Sequence, residues 1–212
     1  LLVLASAIAA AFPMTASAAE QGFFAGLDAS GGAAVGSSGT TNGGAPFAGG
    51  GIVNNVKFGD TVGIGGHFGY RFDPATSVFV SYQHIRGDVG WNANFPLFGV
   101  SSDFAGSAIS NVVMGNLAYE FPLSERVAIR AAAGLGLSFN TLSGITETDK
   151  ATGIFLDDVA NHTNVSPAAQ IGAGIRYRIA PNAALGLDAS LAYAGGFETG
   201  NTRIGNLGVT DI

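Results

Sequence analysis

From residue 21 onward the chain alternates apolar with small or polar residues, and it keeps this period of two over runs longer than a soluble strand. In 127–139, Val127, Ile129, Ala131, Ala133, Leu135, Leu137 and Phe139 share one face. Ala128, Arg130, Ala132, Gly134, Gly136 and Ser138 share the other. Residues 169–179 repeat the pattern, with Ile171, Ala173, Ile175, Tyr177 and Ile179 opposite Gln170, Gly172, Gly174, Arg176 and Arg178. Leu185, Leu187, Ala189, Leu191 and Tyr193 then alternate with Gly186, Asp188, Ser190 and Ala192. A period of two specifies strand. Soluble strands usually run about five or six residues. A strand tilted about 40° climbs roughly 2.5 Å per residue, so an apolar band of about 25 Å needs some ten residues.

Such runs need a surrounding that accepts an apolar outer face. Hydrophobic residues make up 47% of the chain and charged residues 11%, against roughly 25% charged in an ordinary soluble domain. Only one stretch, at the N-terminus, is apolar enough to resemble a membrane helix. In lipid the other way to satisfy every backbone group is a closed barrel. Seven strands are predicted, over 22–30, 61–72, 77–86, 107–121, 127–140, 167–179 and 183–195, with an eighth beginning near Leu207 and cut at Ile212. Single-chain bacterial barrels have even strand counts. The expected fold is therefore all-β, an antiparallel up-and-down transmembrane β-barrel of eight strands with the last one truncated.

The apolar run 1–11, followed by Pro13 and Ala16-Ser17-Ala18, reads as a secretory signal peptide over 1–18. It lacks an initiator Met and a basic n-region, so it is expected to be incomplete at its N-terminus. The barrel domain then spans 19–212 and is expected to be incomplete at its C-terminus.

A hairpin motif recurs three times: Gly69-Tyr70-Arg71-Phe72-Asp73-Pro74, Ala118-Tyr119-Glu120-Phe121-Pro122 and Arg176-Tyr177-Arg178-Ile179-Ala180-Pro181. Each ends a strand on aromatics, turns at proline and returns. Tyr70, Phe72, Tyr119, Phe121 and Tyr177 are expected to form an interfacial aromatic girdle on the periplasmic side. The opposite connections, 31–60, 87–106 and 142–166, are long and read as extracellular loops that can present a ligand-binding surface. Trp91, Phe95, Phe98 and Phe104 in the second of these suit either an exposed interaction patch or packing on the barrel rim.

These features resemble small outer-membrane barrels of the outer membrane protein A/X and opacity-protein type, over essentially all of 20–212. The resemblance implies a Gram-negative outer-membrane location, contact with membrane lipid and lipopolysaccharide, and insertion by the barrel-assembly machinery. That machinery reads a C-terminal aromatic in the family. This chain stops at Thr210-Asp211-Ile212.

With the apolar face toward lipid, the other face carries Asp28, His67, Arg71, Gln83, Glu120, Arg130, Arg176, Arg178 and Asp188 into the lumen. Unpaired charges there would cost several kcal/mol each, so a network of Arg–carboxylate pairs is expected. Eight strands leave a bore just wide enough for side chains to fill, which favours a plug over a channel.

Little else carries chemistry. There are no cysteines, hence no thiol nucleophile or thiolate metal site. His67, His84 and His162 are dispersed without zinc spacing. His84 lacks the neighbouring serine that a barrel lipase pairs with its histidine. Asp157-Asp158 with Glu147 and Asp149 read as a solvated acidic loop rather than a cation site. No cofactor, metal or catalytic residue is expected. With a net charge of −6 and no basic run, nucleic acid is excluded as a partner. Three functional classes follow: a structural and surface-interaction barrel, a narrow channel for ions or small solutes, and, least supported, a lipid-modifying enzyme.

Overall fold

A computed structural model describes residues 2–3, 9–10, 21–34, 52–95, 99–200 and 204. They form ten strands: β1 (Leu2–Val3), β2 (Ala9–Ala10), β3 (Gly22–Ala34), β4 (Ile52–Arg71), β5 (Thr76–Phe95), β6 (Val100–Pro122), β7 (Val127–Asp149), β8 (Phe155–Val159), β9 (His162–Ala180) and β10 (Ala183–Tyr193). The described residues contain no helix. The seven long strands β3, β4, β5, β6, β7, β9 and β10 lie side by side in chain order, each antiparallel to the next. At the seam between β10 and β3, Leu2 opposes both Ala34 and Ala192, and Ala10 opposes Leu185. The sheet thereby curls back on itself. The expected signal cleavage site at 16–18 and the expected eighth strand from Leu207 lie outside the described residues.

The turns at one end are short because local side chains stabilise them. Asp73 Oδ1 accepts hydrogen bonds from the backbone N–H of Ala75 and Thr76, each at 2.7 Å. These bonds hold the Asp73 carboxyl below its ordinary range. Ser124 Oγ accepts from Val127 N–H at 3.1 Å in the next turn. Pro181 and Asn182 alone join β9 to β10.

At the other end the strands run further than the alternation of the apolar face indicates. β4 and β5 have 20 residues each and β6 and β7 have 23, so the longest climb roughly 55 Å at the tilt of a barrel. Much of 31–60, 87–106 and 142–166, expected as loops, is strand. Residues 88–95 and 100–107 pair antiparallel without a break, from Asp88↔Ser107 to Phe95↔Val100.

In β5 the physical reason is an inversion of polarity without a change of parity. In β5 the outward residues pass from Val78, Val80 and Tyr82 to Arg86, Asp88 and Asn94, all exposed. The inward residues pass from Ser77 and Ser81 to Ile85, Val89, Trp91, Ala93 and Phe95, all buried. Two zones result along the same strands. The first is a band with an apolar exterior, where Leu135 is 73% and Ile171 60% exposed. The second is an extension with an apolar interior, in which Val89, Trp91, Phe95, Phe104, Ile145 and Val159 pack together. Trp91 and Phe104 are register partners whose rings stack with centroids 5.2 Å apart. Trp91, Phe95 and Phe104 therefore form a core and not an exposed patch, while Phe98 lies outside the described residues.

A bulge in β7 keeps the inner face of the extension continuous. Ser107 opposes Ser143 while Ala105 opposes Thr146, so β7 carries one extra residue. Gly144 takes it up at φ 59°, a left-handed conformation that glycine adopts without a Cβ clash. Beyond it Ile145 and Glu147 face inward. Glu147 and Asp157 are opposed in the β7–β8 hairpin and are 1% and 0% exposed. These two carboxylates thus correct the expectation of a solvated acidic loop, which holds only for the exposed Asp158 and the half-buried Asp149. Asp149 Oδ1 accepts from Thr152 Oγ1–H and N–H, both at 2.7 Å, which keeps its carboxyl below the ordinary range.

Candidate functional site

Inward-pointing residues of the apolar-belted zone form a column of polar side chains, and it can be followed from the short-turn end upward. The mouth is a cavity of about 150 Å³ lined by Arg71, Glu120, Glu125, Arg126, Arg176 and Arg178 among others. There Arg71 Nη2 donates to Glu120 Oε1 at 3.2 Å. Next comes a bridge in which Asp188 Oδ2 lies 3.9 Å from Arg176 Nη2 and 4.0 Å from Arg130 Nη1. The register explains this reach. Gly174 sits between Arg130 on β7 and Asp188 on β10 in one cross-strand row. A Cβ at Gly174 would collide with Asp188 Oδ1 and Leu187 O, so only glycine leaves the gap that the carboxylate fills.

Above the bridge lies a second cavity of about 80 Å³, lined by Asp28, His67, Gln83, Arg130, Gln170 and Asp188 among others. His67 Nδ1 donates to Asp28 Oδ2 at 2.8 Å. Its ring lies over Gly26, where a Cβ would come within 2.6 Å of Nε2. Arg130 stacks on the Phe79 ring, 4.7 Å from its centroid. Asn116 Nδ2 donates to Ser81 Oγ at 2.9 Å and Gln170 Nε2 to Asn116 Oδ1 at 3.3 Å.

The column then changes character. Ile85, Val112, Met114, Ala168 and Ala192, drawn from strands on opposite sides of the lumen, form one buried apolar cluster. Beyond it Ser110 Oγ donates to Asn140 Oδ1 at 2.6 Å, and Asn140 Nδ2 and Ser138 Oγ donate to Ala194 O at 2.5 and 2.6 Å. The apolar core of the extension follows.

All nine residues expected in the lumen lie on the inward face, and the structure joins seven of them into three groups. These are Asp28 with His67, Arg71 with Glu120, and Asp188 with Arg130 and Arg176. Gln83 lines the upper cavity and Arg178 the mouth. The expectation omitted Asn116, Gln170, Ser138 and Asn140, whose inward parity was the available signal. Outside, Tyr70 and Phe72 pack edge to face at 5.3 Å, Tyr119 and Phe121 pack at 4.7 Å, and Tyr177 is 44% exposed. Phe23 and Phe68 extend this group, with Phe23 5.0 Å from Tyr70.

His84 faces outward near the boundary between the two zones. Its Nδ1 donates to Asn111 Oδ1 at 2.8 Å, which also accepts from Tyr82 OH. No described hydrogen bond brings a serine to it. His162 Nε2 lies 3.7 Å from Glu198 Oε2, in the extension. Among the described residues no group of three or more His, Asp or Glu side chains is placed to hold a metal ion.

An outward apolar belt, an inward polar column and an antiparallel sheet curled on itself define a transmembrane β-barrel. The chain belongs to the outer membrane protein beta-barrel domain family, whose profile matches residues 3–210. No curated protein and no solved structure matches it.

Proposed function

We propose that this protein is a structural outer-membrane barrel whose lumen is closed by its own side chains and whose extension is displayed outside the cell for surface interaction. The carrying observation is the apolar cluster of Ile85, Val112, Met114, Ala168 and Ala192, set across the lumen between two polar layers. A buried apolar constriction opposes passage of ions because it does not hold a continuous water column. The paired charges below it act as a polar filling that rigidifies the bore. Lipopolysaccharide and outer-membrane lipid are the proposed partners of the apolar belt, and the barrel-assembly machinery that of the folding chain. An extracellular ligand would meet the outward residues of the extension.

A narrow channel is the second reading, favoured by the two polar cavities of about 150 and 80 Å³ on one side of the apolar cluster. Planar-bilayer conductance separates the two, after folding is established by the mobility shift between unboiled and boiled gel samples. The expected result is a folded, silent barrel. Discrete steps that change when Arg130 or Arg176 is replaced by Gln would overturn the plug and make transport the function.

A further inference from the structure

Arginines outnumber carboxylates at the short-turn mouth of the lumen. The cavity there, about 150 Å³, is lined by Arg71, Arg126, Arg176 and Arg178 against Glu120 and Glu125, four cations to two anions and an excess of two positive charges. The layer above does not offset them, because Asp188 lies between Arg176 and Arg130 and the added pair carries one charge of each sign. Glu120 already accepts from Arg71. The guanidinium of Arg176 stands 3.9 Å from Asp188 Oδ2, outside hydrogen-bond reach, and makes no hydrogen bond among the described residues. Arg126 forms no ion pair among them.

The local structure keeps this basin open. Arg178 N–H donates to Arg126 O at 2.8 Å, which ties the β6–β7 turn to β9. Gly186 lets the Arg176 guanidinium lie against β10, where a Cβ would come within 3.2 Å of its Cζ. Ala75, Ala128 and Ala184 line the cavity with side chains too short to fill it. Ser124 lines it as well, and its Oγ accepts from the N–H of Arg126 and Val127, so its hydroxyl proton is left to donate. We infer that this mouth binds one dianionic phosphate group, as inorganic phosphate or as a phosphate monoester. Two negative charges match the excess of two. A guanidinium fork pairs with two phosphate oxygens at once, an advantage that a halide does not have. The volume takes about five waters at roughly 30 Å³ each, or one tetrahedral oxyanion with some of that water kept. The inference concerns the rim alone, goes beyond the closed lumen proposed above and holds whether or not the bore conducts.

The test uses the full chain folded in an amine-oxide detergent, which brings no phosphate. Inorganic phosphate is the probe, at about pH 8, above its second pKa, and equilibrium dialysis is the readout. Saturable binding of one phosphate per chain is expected, weakening as salt rises. Arg126→Gln should weaken it several-fold. Glu125→Gln should tighten it several-fold, a gain that damage to the fold does not produce. Both residues are exposed in a turn, so both variants are expected to pass the gel-shift test of folding. Arg86→Gln, at an exposed arginine far from the mouth, should leave binding unchanged. A short-chain phosphatidic acid added as competitor separates the sources. Displacement of phosphate assigns the site to a lipid headgroup and no displacement to a water-soluble phosphate, and either supports it. No saturable binding by the wild type, or binding that Arg126→Gln leaves unchanged, overturns the site.

Discussion

The belted zone and the extension are built from the same strands, yet each is the other turned inside out. In the belt, β5 shows Val78, Val80 and Tyr82 to the outside and Ser77, Ser81 and Gln83 to the inside. Ten residues further on it shows Asp88, Asn92 and Asn94 outside and Val89, Trp91 and Ala93 inside. What a strand must place outward depends on its surroundings, lipid in one zone and water in the other. The extension is also acidic. Its described residues carry Asp60, Asp88, Asp103, Glu147, Asp149, Asp157, Asp158 and Glu198 against Lys57, Arg86 and Lys150, eight carboxylates to three cations. The lumen has the opposite balance.

The contrast can be broken most forcefully at the core of the extension. Trp91 is 7% exposed and stacked on Phe104, so Trp91→Ala should cost about 3–5 kcal/mol in that zone. The expected outcome is rapid proteolysis within 87–106 while the unboiled gel band of the folded barrel persists. Loss of that band as well would mean that the two zones fold as one unit. Somewhat smaller is the effect of a charge on the belt. Leu135→Arg should destabilise the barrel by about 2–4 kcal/mol in urea titrations from lipid vesicles. Asn94→Arg, equally outward but in the extension, should stay within about 0.5 kcal/mol. Equal effects would erase the distinction between lipid and water. The smallest change concerns one of the two carboxylates buried in the interior of the extension. Asp157 is 0% exposed and its Oδ2 makes no hydrogen bond. Asp157→Asn removes the charge and retains an oxygen for the Asp158 N–H. It should raise the protease resistance of the β7–β8 hairpin by about 1 kcal/mol. A drop in resistance would show that the carboxylate itself is needed there.

The belt was legible in the sequence because one apolar face per strand is all that a barrel in lipid has to specify. Leu135, Ile171 and Leu187 mark that face without any knowledge of their neighbours. The extension was not legible on the same grounds. Tracking the apolar face outward from Val80 leads to Asp88 and Asn92, and the strand is lost although Val89 and Trp91 continue it on the other parity. Gly, Ser and Asn at these outward positions then resemble loop composition. The membership of the lumen was readable from parity, but its pairing was not. That Arg130 meets Asp188 across Gly174 depends on the registers of β7 with β9 and of β9 with β10, which no single strand encodes. The bulge at Gly144 is likewise invisible until Ser107 and Ala105 are seen to face Ser143 and Thr146.

The β5–β6 hairpin of the extension continues its barrel strands without a register shift, and this sets a rule for how the exposed end can vary over time. A surface under selection by antibodies or phages escapes by changing residues that a binder touches. With the extension displayed outside the cell as proposed, such change would be free only at every second position, such as Asp88, Asn92 and Asn94, because the residues between them hold the interior together. Diversity along 87–95 in descendants of this chain should therefore itself carry a period of two, with Val89, Trp91 and Ala93 as its quiet beats.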